Sequence, residues 1–135
     1  MKMNEQQVRF YENKLEFEID SWDLFEAQKS NREIVVLDVR SEAAYEKEHI
    51  RGAISFPHRR MTPDNTAHFS KSALHVVYCD GIGCNASTGG ALKMAKLGFA
   101  VKELMGGLEW WKRSHFPTDA GSNDVRTAEV QCGCA

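Results

Sequence analysis

Proline occurs only three times in 135 residues. No uninterrupted apolar run approaches the roughly 18–20 residues that a membrane-spanning helix requires. With 42% hydrophobic and 27% charged residues, collagen-like, coiled-coil and broadly disordered readings are disfavoured. Neither sign of charge dominates: 17 basic against 19 acidic side chains leave a formal net charge of −2. No general nucleic-acid binding and no attraction to an anionic membrane is therefore expected. The opening stretch MKMNEQQVRFYENKLEFEID is polar and acidic, unlike a secretory signal or transit peptide, so the expected location is cytoplasmic. Cysteine is also sparse, at four residues. In a reducing compartment these thiols point to redox, persulfide or metal chemistry before structural disulfides.

What is present is a rhythm. The length suits one domain with its own core. NEQQVRFYENKL spaces Val8, Tyr11 and Leu15 as an amphipathic helix would, and EFEI alternates as a short strand. Asp20 or Ser21 is a natural N-cap for a helix to about Lys29, with Trp22, Leu24 and Phe25 available for burial. EIVVLDV (33–39) is a β-branched run suited to a strand covered on both faces. A helix over SEAAYEKEH, a strand at GAISF and a loop with one helical turn over 58–73 follow. LHVVYC is the next buried strand and ASTGGALKMAKL the next helix, with Gly98 at its C′ position. AVKEL and GLEWWKRS add a strand and a final short helix. Strand and helix in alternation with short links predict an α/β fold, with a mainly parallel sheet and helices on both faces. Ligands of such sheets bind beyond the carboxyl ends of the strands.

Cys79 stands at one such end, in VVYCDGIGCNAST (76–88). A cysteine between a strand and a helix faces backbone N–H groups and the positive end of the helix dipole, which favour a thiolate or an anion on sulfur. Gly81 and Gly83 let the loop curl its amides inward, and Asn85, Ser87 and Thr88 are candidate caps. Gly89 and Gly90, poor helix formers, predict close packing against neighbouring backbone. On the residues alone, Cys79 reads either as a nucleophile or, with Cys84, as a structural or metal-binding pair.

Four motifs then narrow the choice. LDVR (37–40), HIRGAISFP (49–57), VVYC (76–79) and GFAVKELMGGLEWW (98–111) resemble the rhodanese-like domain family in order and spacing. The resemblance places a rhodanese-like domain at 17–117, after a helical extension (1–16); beyond it the sequence loses periodicity and hydrophobicity, so 118–135 is expected to be a mobile tail. The resemblance implies a central, mainly parallel five-stranded sheet and a sulfurtransferase. Cys79 would be the catalytic residue, carrying a sulfane sulfur as a persulfide from a donor such as thiosulfate to cyanide, a thiol or an acceptor protein. Asp80, Gly81, Ile82, Gly83 and Cys84 would form the active-site loop, with no metal or organic cofactor. Asp38 and Arg40 match the family's Asp-Val-Arg motif as supporting residues that pair and fix the following turn. His49 would stabilise a turn, and Trp110 and Trp111 would be core and rim residues.

One position departs from the family. Many active members carry arginine at the sixth loop position, where this chain has Cys84. A thiol cannot bind a sulfonate or sulfate group bidentately as a guanidinium does, so thiosulfate is expected to be a poor donor. Cys84 instead suggests a thiol able to resolve a Cys79 persulfide, provided the Cα atoms lie within about 7 Å. Cys132 and Cys134, in QCGCA, are further candidate relay or resolving thiols. The four cysteines could also offer sulfur to zinc, but their spacings are not those of a zinc knuckle. Cysteine phosphatases use a longer cradle ending in arginine, whereas Asn85 and Ala86 stand there. The alternative function is a catalytically weak binding or redox-sensing module using the Cys79/Cys84 pair.

Overall fold

The apolar runs become the centre of the fold. Ile34–Asp38 forms β2, Leu74–Tyr78 forms β5 and Ala100–Leu104 forms β6. Shorter strands Glu18–Ile19 (β1) and Ile54–Ser55 (β4) complete a five-stranded sheet of order β1-β6-β5-β2-β4. Every neighbouring pair is parallel. This is the α/β architecture expected from the sequence, in a computed structural model that describes residues 3–30 and 32–121.

Parallel pairing requires crossovers, which run through Ser21–Lys29 (α2), Glu42–Lys47 (α3), Pro63–Thr66 (α4) and Ala86–Lys96 (α5); Glu5–Phe17 (α1) precedes the sheet and Gly107–Arg113 (α6) follows its last strand. Alternation along the strands feeds two cores. Val36, Val76 and Tyr78 pack with Leu24, Tyr45, Leu108 and Trp111. Leu37 and Val77 pack with Phe56, Met61, Met94 and Phe99. Burial of each such side chain contributes about 1.5–3 kcal/mol, so the central strands are held from both faces.

Local chemistry sets the helix ends. Asp20 caps α2 by accepting from the Asp23 amide at 2.8 Å, and Gly98 follows α5 with φ +94°. Of the two adjacent glycines in α5, Gly90 packs tightly, a Cβ there lying 3.1 Å from the Val39 side chain and not against backbone as expected, while Gly89 faces open space.

Three expectations change. Val8, Tyr11 and Leu15 do lie on a helix, but no residue of α1 is buried. That helix rests on local terms: the Asn4 cap and the Lys14–Glu18 ion pair. Trp22 is likewise exposed, and Leu24 takes the core position of α2. Finally, the chain does not leave the fold at 118. Thr118–Asp119 (β7) pairs antiparallel with His49–Ile50 (β3), and the Gly121 amide donates to the Glu46 carbonyl at 2.7 Å. Polar contacts hold this ladder, Thr118 to Glu48 and Arg51 to Asp119, which a hydrophobicity pattern does not register. The rest of the expected tail, with Cys132 and Cys134, lies outside the described residues.

Candidate active site

Cys79 follows β5 directly and is buried. Its carbonyl accepts the Leu108 amide at 3.0 Å, and the Asp80 carbonyl accepts the Glu109 amide at 2.8 Å. The first turn of α6 thus grips the start of the loop. Two glycines permit this approach. Gly106 and Gly107 both have positive φ, and a Cβ on Gly107 would strike the backbone of Cys79, Asp80 and Gly81. Gly81 is pressed from the same side, since a Cβ there would come within 2.8 Å of the Glu109 carboxylate.

Beyond Gly81 the loop turns back. The Cys84 amide donates to the Gly81 carbonyl at 3.3 Å, and Gly83 supplies the left-handed residue at φ +94°. Ile82 stands exposed at the tip. The turn carries Cys84 onto Cys79: the two are joined by a disulfide, with Cα atoms 6.4 Å apart. The Cys84 amide is therefore spent within the loop.

Cys84 lies two residues before α5, with Asn85 between. None of the candidate caps closes this helix: Asn85 occupies the N-cap without a side-chain hydrogen bond. The Ser87 and Thr88 hydroxyls instead donate to one carboxylate oxygen of Glu103, each at 2.7 Å. Donation to a carboxylate makes these charge-assisted, stronger hydrogen bonds, and they tie the first turn of α5 to β6.

Beneath the loop lies a charged network. Asp38 is fully buried at the end of β2, in register with Tyr78. Arg40 reaches back to it with Nε at 3.0 Å and Nη2 at 2.7 Å, while Nη1 meets Asp80 at 2.9 Å. Nη2 also donates to the Glu48 carbonyl at 2.7 Å. Burial alone would lower the Arg40 pKa, but the hydrogen bond and charge of Asp38, then Asp80, raise it above the usual guanidinium range. The Tyr78 hydroxyl donates to Asp38 at 2.7 Å and accepts the Ile50 amide at 3.1 Å. Burial, then the Asp38 charge, pushes that phenol well above its ordinary range. Arg40 thus links the buried strand end to the first loop residue after Cys79.

The remaining candidates separate. His49 is buried, with Nδ1 2.7 Å from the Tyr45 carbonyl and its ring stacked on Tyr45 at 3.6 Å. Trp111 is in the core and Trp110 on the rim. Among the described residues, no group of three or more His, Cys, Asp or Glu side chains is placed to hold a metal. Sequence reasoning passed over Gly106, Gly107, the Tyr78 hydroxyl and the Asp80–Arg40 tie. The glycine doublet was the one visible signal for any of them.

Comparison with known proteins adds to this geometry. A family model described as the rhodanese-like domain matches residues 21–114. The thiosulfate sulfurtransferase GlpE of Coxiella burnetii is 33% identical over 107 residues, 78% of this chain and 92% of that protein. The crystal structure of BH2092 from Bacillus halodurans is similar at TM-score 0.81 with 39% identity, covering 87% of each chain. A match of 30% identity also falls within the Mycobacterium tuberculosis HTH-type transcriptional regulator Rv0324, covering 67% of this chain but 39% of that protein.

Proposed function

This chain belongs to the rhodanese-like domain family, and from that premise we propose that it is a sulfurtransferase working through a persulfide on Cys79. The observation that carries the reading is the position of Cys79. It lies at the carboxyl end of a central parallel strand, in a short loop gripped by α6, in a chain one-third identical to a thiosulfate sulfurtransferase. We assign the catalytic unit to residues 17–117 together with the β7 segment that pairs with β3, with 1–16 as an extension.

The disulfide must first be reduced. Closing so short a loop, at a sequence separation of 5, contributes only about 2 kcal/mol, so the reduced chain stays folded. The freed Cys79 thiolate attacks the outer sulfur of the donor, and the rest of the donor leaves as thiolate or sulfite. An acceptor nucleophile then attacks the outer sulfur of the persulfide and Cys79 leaves as thiolate. Asp80 to Cys84 form the wall around that sulfur, and Asp38 and Arg40 hold the wall to the sheet.

The donor follows from the charges. Cys84 occupies the sixth loop position, and the Arg40 guanidinium is already engaged by Asp38 and Asp80. Arg113 is likewise paired with Glu109. A thiol persulfide therefore suits this site better than a dianionic thiosulfate.

Intact-mass measurement on Cys84→Ser, which cannot form the disulfide, tests the reading. A gain of one sulfur, about 32 Da, is expected from glutathione persulfide, with slower gain from thiosulfate. Cys79→Ser in the same background must abolish it. No gain from either donor in folded protein overturns the assignment.

A further inference from the structure

Cys84 has a chemistry of its own. We propose that it is a resolving thiol, which discharges the Cys79 persulfide as hydrosulfide and makes this protein a reductase of sulfane sulfur; this rests on the persulfide reading of Cys79. Three features carry it. The loop is folded to bring Cys84 home, through the Gly81–Cys84 turn and the left-handed Gly83. The Cα separation of 6.4 Å lies within the range for bridged cysteines, and the two sulfurs are bonded. The atom that Cys84 meets is the Sγ of Cys79 itself, which is the inner sulfur of a persulfide.

That choice of atom decides the outcome. Attack on the outer sulfur would move it to Cys84, whereas attack on Sγ expels it. An ionised persulfide, Cys79–S–S⁻, reacts with the Cys84 thiol to give the Cys79–Cys84 disulfide and HS⁻. One sulfur–sulfur bond breaks, one forms, and the thiol proton ends on the departing sulfur. The sulfane sulfur is reduced by two electrons, and the two cysteine sulfurs are oxidised to the disulfide. A dithiol reductant then restores both thiols and becomes a disulfide itself.

The position of Cys84 suits the attacking role. It stands two residues before α5, whose N-cap Asn85 makes no side-chain hydrogen bond, so the positive end of the helix favours the negative charge that builds on its sulfur as the proton leaves.

The test is an anaerobic single turnover on the full chain, reduced, desalted and given one equivalent of glutathione persulfide. Hydrosulfide is trapped with monobromobimane and the protein mass is read in parallel. The wild type is expected to release about one hydrosulfide per chain and finish about 2 Da lighter than the reduced protein. Cys84→Ser is expected to keep the added sulfur and release hydrosulfide at least tenfold more slowly. Its retained sulfur also shows that the variant is folded and that Cys79 loads. Wild type that keeps the added sulfur, or releases hydrosulfide no faster than Cys84→Ser, overturns the resolving role and leaves the sulfurtransferase standing. Failure of Cys84→Ser to load sinks both. A Cys132→Ser/Cys134→Ser variant must still release hydrosulfide; if release vanishes there, Cys84 is not the resolving thiol.

Discussion

Replacing Arg40 by methionine separates the buried half of the network from its exposed half. The guanidinium gives Asp38 hydrogen bonds at 3.0 and 2.7 Å, and Asp38 has no solvent exposure. Methionine keeps most of the stem but leaves that carboxylate with the Tyr78 hydroxyl and the residue-40 amide alone. Removing one partner of a buried pair costs about 3–5 kcal/mol, a large share of the roughly 5–15 kcal/mol that holds a domain. The second partner, Asp80, has a side chain 73% exposed, so Asp80→Asn is expected to cost no more than about 1 kcal/mol. Urea unfolding at pH 7 with the disulfide intact measures both. The double variant Asp38→Asn/Arg40→Met checks the cause, since an amide needs no counter-ion. It is expected to be more stable than Arg40→Met alone by at least about 1 kcal/mol. If Arg40→Met costs less than about 1 kcal/mol, or Asp38→Asn does nothing to relieve it, the buried ion pair is not what fixes the strand end.

Other expectations follow from the same geometry. Gly107→Ala places a Cβ against the backbone of Cys79, Asp80 and Gly81, and the strained φ costs about 1–3 kcal/mol. Sulfur loading at Cys79 should slow at least tenfold, and loading at the wild-type rate would show that α6 does not shape the loop. Tyr78→Phe strands the Ile50 amide and removes one bond from Asp38, for a loss of about 1–3 kcal/mol in the unfolding free energy from denaturant titration; a loss under about 0.5 kcal/mol would contradict this. His75 is fully buried, and burial lowers its pKa against weaker opposition from the Ala73 and Ala100 backbone and Glu33. The unfolded chain therefore binds the proton more readily. This contribution is complete above pH about 6.5 and is lost as pH falls below it, by up to about 1.4 kcal/mol per unit. Stability at pH 7 and pH 5 should differ less in His75→Leu, and an unchanged difference would rule His75 out. The window stays above the range where Glu48, lowered chiefly by its hydrogen bonds to Lys112 and Thr118, begins to protonate.

The fold was legible wherever burial wrote a pattern. Residues 34–38 and 74–78 are largely apolar, β-branched runs because both sheet faces are covered, and the sequence shows them within a residue or two; 100–104, with Lys102 and Glu103, is only partly covered and reads as a strand from its place in the rhythm. Helices with caps were equally visible, as at Asp20. What escaped was structure too short to write a pattern. β3 and β7 have two residues each, and Thr118 and Asp119 are held by partners about 70 residues away. α1 shows the converse. Its apolar spacing is real, yet spacing reports helical phase and not what lies opposite, and here the apolar side chains face outward.

The site divides on the same physical line. Cys79 and its glycines are adjacent in sequence, so a local reading assembles them. The grip on that loop comes from Gly107 and the amides of Leu108 and Glu109, nearly 30 residues downstream. Nothing in the sequence states that this turn lies against Cys79 until the sheet order places β6 beside β5. Asp80 is the sharper case. As a loop residue it reads as solvent-facing, and its side chain is indeed mostly exposed. Yet one carboxylate oxygen meets the same guanidinium that neutralises Asp38 beneath the loop. The Asp-Val-Arg motif therefore does more than fix its own turn, since its cation spans from the end of β2 to the residue after Cys79. The two anions compete for one guanidinium, and the buried one holds it by two hydrogen bonds to the exposed one's single bond. Any donor that needs a guanidinium in this loop must displace Asp80 first, and a donor that carries its sulfur on a thiol need not.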